Sequence, residues 1–111
     1  MTIDLLQSLL EAHPNLYLAL RFEERLFDMA GNPMPNRIVD NDWKILPEWK
    51  KFISDFPARF MIGSDQFVGI PGVTRRMPQS FKETWSVLDQ LPPELAKKVG
   101  HDNAVRIYNL D

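Results

Sequence analysis

The chain lacks several features that mark particular classes of protein. It has no cysteine, which excludes disulfide scaffolds and thiolate metal sites. It has no apolar run long enough to cross a membrane, and 13 basic residues stand against 15 acidic ones. The net charge of −2 gives no basic surface for nucleic acid or for an acidic membrane. The first residues carry no basic segment of the kind that opens a signal peptide, so we expect a cytoplasmic protein.

What the chain does have is enough apolar sequence for one folded domain. Its 111 residues are 44% hydrophobic and 25% charged, an ordinary balance for a protein that folds. This length supports a modest core. We therefore expect residues 1–111 to form a single domain.

Two short apolar runs are typical of strands buried on both faces, as in parallel sheets. The first covers residues 16–20 (LYLAL) and ends at Arg21. The second covers residues 59–63 (RFMIG), and Asp65 follows it closely. A long loop and a helical pattern lie between them, so the two runs predict a βαβ unit with parallel strands.

Five helical segments are predicted from apolar spacing and from residues that begin or end helices. Thr2 is expected to cap the first helix, and Pro47 fits the first turn of the second. Ser80 opens a capping box before the third. Gly100 is expected to end the fourth helix, and Asp102 to cap the last.

The segment 22–44 is predicted to be a long loop that folds over the rest of the chain. It is dense in turn-forming residues, yet it also carries many large apolar side chains. Loops of this length in compact domains are often functional lids or binding loops. The three tryptophans, Trp43, Trp49 and Trp85, lie at or beside helical apolar faces, and we expect all three to pack between elements.

Arg21 and Asp65 are the candidate site residues, because each follows a predicted strand. Carboxyl ends of parallel strands meet at one edge, which is where α/β enzymes place their chemistry. Arg21 could hold a substrate carboxylate through a bidentate contact; the alternative is a salt bridge with Glu23, Glu24 or another acid at that edge. Asp65 could be catalytic, or it could simply cap a turn.

Three segments, in this order, resemble the C-terminal part of a known enzyme family. They are residues 13–17 (HPNLY), residues 56–65 (FPARFMIGSD), and residues 91–99 with 103–108 (LPPELAKKV and NAVRIY). The chain thus resembles the amidohydrolase-related (amidohydrolase 2 type) family of metal-dependent hydrolases and decarboxylases. The resemblance implies an α/β fold that is a partial (β/α)8 barrel. The chain would hold its last two βα units, with strands near 16–20 and 59–63, and the C-terminal helices.

The resemblance also implies a role for Asp65 and a cofactor. The family's aspartate after the last strand matches Asp65, where it ligates or approaches a divalent metal, commonly zinc, and serves as general base toward the metal-bound water. The family's other metal ligands are a His-x-His pair and further histidines on earlier strands. This chain has only His13 and His101, both expected to be structural or solvent-exposed. We therefore expect the isolated chain to bind no metal and to be inactive.

These observations lead to two functional hypotheses. The first is the C-terminal part of an amidohydrolase-like hydrolase or decarboxylase that acts on a small carboxylated substrate. A whole barrel of this kind needs about 250 residues, and two strands alone do not make a stable sheet. We therefore expect a homo-oligomer or a complementary barrel fragment as partner. The alternative is a non-enzymatic small α/β module for binding or oligomerisation.

Overall fold

The two predicted strands form a two-stranded parallel sheet in the computed structural model. Strand β1 is Leu18–Leu20 and strand β2 is Phe60–Ile62, each shorter than its predicted span. Their register pairs Leu18 with Phe60 and Leu20 with Ile62, so the strands start together and end together. The structure describes residues 2–22, 27–34, 37–63 and 81–110.

The helices follow one another along the chain in the order that the sequence predicts. Thr2 caps the first helix, since its hydroxyl accepts a hydrogen bond from the N–H of Leu5 at 3.3 Å, and Pro47 begins the second. The predicted cap at Ser80 lies outside the described residues. The helices are α1 (Ile3–Ala12), α2 (Pro47–Asp55), α3 (Phe81–Leu88), α4 (Pro93–Lys97) and α5 (Asn103–Ile107), and a π-helical turn (Lys98–Asp102) joins the last two.

The expectation that Gly100 ends a helix is wrong. Gly100 lies inside the π-helical turn, and Asp102 has helical dihedral angles and makes no capping hydrogen bond. Gly100 instead packs closely against α3, because a Cβ atom at position 100 would lie 3.1 Å from Leu88 Cδ1, and that side chain would have to shift by a few tenths of an ångström. Residues 93–107 are therefore one helical segment with a wider turn in its middle, a feature that local sequence signals do not reveal.

The core lies against one face of the sheet. Side chains alternate between the faces of a strand, so Leu18, Leu20, Phe60 and Ile62 share a face. Leu20 and Phe60 are buried there in one cluster with side chains from α1, α2, α3, α4 and the π-helical turn. Phe60 contacts Phe52 of α2 edge to face, with ring centroids 5.3 Å apart.

The other face of the sheet departs from the prediction that both faces are buried. Ala19 is exposed, whereas its neighbour Met61 is buried but lies outside the core cluster.

The predictions that the three tryptophans pack between elements have different outcomes. Trp49 is buried and Trp43 packs partly buried against the core, but Trp85 is 61% exposed, because it lies on the outer side of α3. Within the residues described, no helix has both the length and the apolar character needed to cross a membrane.

Gly63 follows β2 on the same face of the sheet as Ala19 and Met61, and its backbone lies close to β1. A Cβ atom at position 63 would lie 2.7 Å from Ala19 Cβ, while the N–H of Gly63 donates to the Leu20 carbonyl at 2.9 Å. We expect Gly63→Ala to force the strands apart and to lower the free energy of unfolding by about 1–3 kcal/mol, measured by urea denaturation.

The matched control for this substitution is Ala19→Gly, which removes the atom that the new methyl group would meet. In the Ala19→Gly background, Gly63→Ala should cost much less, and a double-mutant cycle gives the difference as a coupling energy. If Gly63→Ala lowered the free energy of unfolding equally in both backgrounds, the contact with Ala19 Cβ would not be the cause of the destabilisation.

Candidate functional site

The carboxyl ends of β1 and β2 meet at one edge of the sheet, here called the carboxyl edge. The parallel register places Leu20 opposite Ile62, so Arg21 and Gly63 are the next residues at this edge. Arg21 is exposed, as a residue that contacts a ligand requires. It also takes part in an interaction in the folded chain, and a substrate carboxylate would have to compete with that partner.

Asp65, the other candidate, lies outside the described residues, as do Glu23 and Glu24. Its predicted roles as general base and metal ligand stay predictions, and so does the predicted salt bridge of Arg21. The described part of β2 ends at Ile62, three positions before Asp65 in the chain. This spacing agrees with a carboxylate that follows the strand.

The connection from β1 to α2 contains a small exposed hairpin, residues 27–33, here called the 27–33 finger. Phe27 and Pro33 form an isolated antiparallel bridge. The carboxylate of Asp28 accepts hydrogen bonds from the backbone N–H groups of Ala30 (2.8 Å) and Asn32 (2.9 Å). Gly31 adopts φ +83° at the turn, where a residue with a side chain would be strained.

The finger presents apolar side chains to solvent. Phe27 is 55% exposed and Met29 is 98% exposed. Hydrogen bonding from the Asn32 backbone N–H and then from its side-chain amide lowers the pKa of Asp28 below its ordinary value. The charged carboxylate thus organises an exposed hairpin that extends from the connection following the carboxyl edge.

A second hairpin, residues 38–46, completes the same connection and is anchored in the core. Val39 and Ile45 form an antiparallel bridge, and both are buried. The side-chain amide of Gln90, after α3, accepts from the N–H of Ile45 at 2.9 Å and donates to the carbonyl of Trp43 at 2.7 Å. Trp43 has φ +60°, an uncommon conformation for a bulky residue, which the Gln90 contact helps to hold. The prediction that the long loop folds over the rest of the chain is confirmed for this hairpin.

The described residues do not by themselves fit the zinc implied by the resemblance. Within ranges 2–22, 27–34, 37–63 and 81–110, no three His, Asp or Glu side chains come together in a group that could hold a metal ion. His13 is exposed at the C-terminal end of α1. His101 is exposed in the π-helical turn and contacts Asp102 Oδ1 at 2.9 Å. Neither histidine lies at the carboxyl edge.

Sequence reasoning missed a cluster at the opposite edge, where both strands begin, here called the amino edge. The half-buried guanidinium of Arg59 donates to the carbonyls of Leu16 at 2.7 Å and Leu10 at 3.2 Å. Arg106 Nη2 donates to the carbonyl of Ala58 at 2.6 Å. The buried side-chain amide of Asn103 donates to the carbonyls of Pro57 and Phe60, each at 2.8 Å.

Tyr17 contacts both arginines of this cluster. The Cζ atom of Arg59 is 5.6 Å from the centroid of the Tyr17 ring, and that of Arg106 is 5.8 Å from it. Both distances are within the range of cation–π contacts. The sequence signal that could have indicated this cluster is weak, since an arginine directly before an apolar strand is usually interpreted as a solvent-exposed flank.

The lowered pKa of Asp28 predicts that acid loosens the 27–33 finger. Because the pKa is lower in the folded chain, the contribution of the carboxylate is fully present above its ordinary pKa and is lost as the pH falls through the lowered value. We expect the amide proton shifts of Ala30 and Asn32, followed by NMR from about pH 6 downward, to move together at a pH below the ordinary aspartate range near 3.9.

The matched controls are Asp28→Asn and Asp42→Asn. Asp28→Asn removes the titrating group, so the two amide shifts should stay flat over this pH range. Asp42→Asn removes an exposed carboxylate of the neighbouring hairpin, and the two amides should then titrate as in the unaltered chain. A transition of these amides at or above the ordinary aspartate pKa would contradict the hydrogen-bonded finger.

Comparisons with known proteins do not assign the chain to a family. No protein-family model, no curated protein and no solved structure matches the chain. What is established is therefore a mixed α/β chain with a two-stranded parallel sheet, an exposed arginine at its carboxyl edge, and a structural cluster at its amino edge.

Proposed function

We propose that this chain is the C-terminal part of an amidohydrolase-like, metal-dependent hydrolase or decarboxylase that acts on a small carboxylated substrate. The observation that carries the proposal is the in-register parallel pair of strands, which brings Arg21 to the carboxyl edge together with the end of the strand that precedes Asp65. In barrel enzymes the active site lies at this edge. Of the segments that resemble the family, residues 13–17 lead into β1 and residues 56–65 contain β2.

The two faces of the sheet support a position in a barrel wall. In a (β/α)8 barrel each strand packs one face against the outer helices and turns the other toward the interior. Here Leu20 and Phe60 face the helices. Ala19, Met61 and Gly63 form the other face, where Ala19 is exposed. An incomplete barrel would leave part of its interior face uncovered, as at Ala19, although Met61 on the same face is buried.

The proposal gives each candidate residue one task. Arg21 binds the carboxylate of the substrate and orients it through paired hydrogen bonds. Asp65 takes a proton from the attacking water. The resemblance implies a divalent metal, commonly zinc, as the group that polarises the reacting centre. Because the described residues do not form a zinc site, the remaining ligands would come from the rest of the barrel.

Reconstitution tests this function. The genomic region is first examined for an upstream reading frame or a neighbouring gene that encodes a strand followed by His-x-His. The encoded polypeptide is then co-expressed with this chain, and hydrolysis and decarboxylation of small carboxylated compounds are measured. We expect Asp65→Asn to lower kcat about 10²–10⁴-fold, as for loss of a general base.

A second variant and a control test whether Arg21 recognises the carboxylate of the substrate. Arg21→Gln should raise KM for a carboxylated substrate more than for its neutral amide analogue. Lys50→Gln, which removes an exposed charge on α2, should leave both constants unchanged. The role of Asp65 would be contradicted if Asp65→Asn were as active as the unaltered chain. The role of Arg21 would be contradicted if Arg21→Gln raised KM equally for the carboxylated substrate and its neutral amide.

The alternative function is a non-enzymatic module that binds a partner or oligomerises. It is favoured by the continuous core: buried residues of four helices, both strands and the 38–46 hairpin already form one cluster in the part of the chain that is described. Such a core is consistent with a chain that folds without the rest of a barrel. Its exposed sheet face would then be the binding surface.

Association in solution follows from the exposed sheet face. Among the described residues the sheet has only two strands, so their outer edges are unpaired and Ala19 is exposed beside them. Such edges favour pairing with another chain, and we expect light scattering at high protein concentration to give an assembly larger than the monomer. Ala19→Lys places a charge on that face and should shift the protein to monomer with an unchanged circular dichroism spectrum. A clean monomer of the unaltered chain would count against this use of the sheet.

A further inference from the structure

We propose that the amino edge carries a binding site for a phosphate or phosphomonoester dianion, formed by Arg59, Arg106 and Tyr17. This site lies at the opposite end of the strands from Arg21. It therefore does not depend on the function proposed for the carboxyl edge.

The first argument is uncompensated positive charge. Both guanidinium groups contact the same tyrosine ring, at 5.6 and 5.8 Å from its centroid. Ion pairs within the described ranges include those of Lys51 with Asp55 and of Lys97 and His101 with Asp102. Neither Arg59 nor Arg106 pairs with a carboxylate among the described residues. Both cations lie beside the same ring, so an anion bound there would be attracted by two positive charges.

The second argument is the supply of free donors. Arg59 uses Nε and Nη2 for backbone carbonyls, and Arg106 uses only Nη2. Nη1 of Arg59, together with Nε and Nη1 of Arg106, makes no hydrogen bond to any described residue. Arginine offers its donors as a planar fork that matches the oxygens of a phosphate group.

The third argument is that the donors are both fixed and accessible. The carbonyl contacts of each arginine and the ring of Tyr17 hold the guanidinium groups in place, so little side-chain freedom would be lost on binding. Arg106 is exposed, and Arg59 and Tyr17 are half-buried. An anion can reach this edge without a change in the fold.

The test is a titration of the intact chain with inorganic phosphate at constant ionic strength, followed by NMR. We expect saturable shifts centred on the Tyr17 ring and the Arg106 side chain, with a Kd of about 1 mM or lower. Acetate, which carries a single charge, should bind more weakly. Phenyl phosphate should bind about as well as phosphate if the site takes phosphomonoesters, and more weakly if only the free ion fits.

Variants separate this site from nonspecific charge effects. Arg106→Gln should weaken phosphate binding about tenfold, the loss of one charge-assisted contact, whereas Lys50→Gln should leave it unchanged. If Arg106→Gln does not fold, Arg106→Lys keeps the charge without the fork and should bind several times more weakly. Absence of saturation, shifts centred elsewhere, or unchanged affinity in the Arg106 variants would show that the cluster is a structural clamp only.

Discussion

The structure depends on how three side chains satisfy main-chain carbonyl groups at the amino edge. Arg59, Asn103 and Arg106 donate to carbonyls at the end of α1, at the start of β1, and in and before β2. The contact with the Phe60 carbonyl is buried, and those with Leu10, Leu16 and Pro57 are partly buried. A fully buried polar group left unpaired costs about 1–3 kcal/mol, and a whole domain is stabilised by only about 5–15 kcal/mol. The carbonyls are those of Leu10, His13, Leu16, Pro57, Ala58 and Phe60.

The π-helical turn is explained by this requirement. Leu95, Val99 and Asn103 are buried at successive steps of four residues, and such steps overshoot an α-helical turn of 3.6 residues. A wider turn reduces that drift, so the helix buries Leu95 and Val99 in the core and still directs Asn103 at the strand that it caps. Gly100 lies close to α3 in this arrangement: a Cβ atom at this position would be 3.1 Å from Leu88 Cδ1.

Local features of this fold could be predicted from the sequence, and long-range ones could not. The cap at Thr2, the proline at the start of α2 and the parallel strands depend on neighbouring residues or on apolar runs, and all are confirmed. The contacts of Arg59 join residues 43 to 49 positions apart, and no local pattern encodes them. The prediction that Gly100 ends a helix was wrong for the same reason, because its surroundings include Leu88 of another helix. Arg21 was correctly placed at the carboxyl edge, since that position follows from the strand alone.

The two ends of the sheet are therefore held together differently in the part of the chain that is described. At the amino edge, side chains from distant parts of the chain fix the backbone of both strands. Past the carboxyl edge, the 38–46 hairpin is fixed by its buried residues and by Gln90, whereas the 27–33 finger is exposed along its length and is organised by its own Asp28. Segments with few buried contacts open at low free-energy cost. Of the two hairpins described in this connection, the finger should therefore open at the lower free-energy cost, and it carries the exposed apolar side chains of Phe27 and Met29.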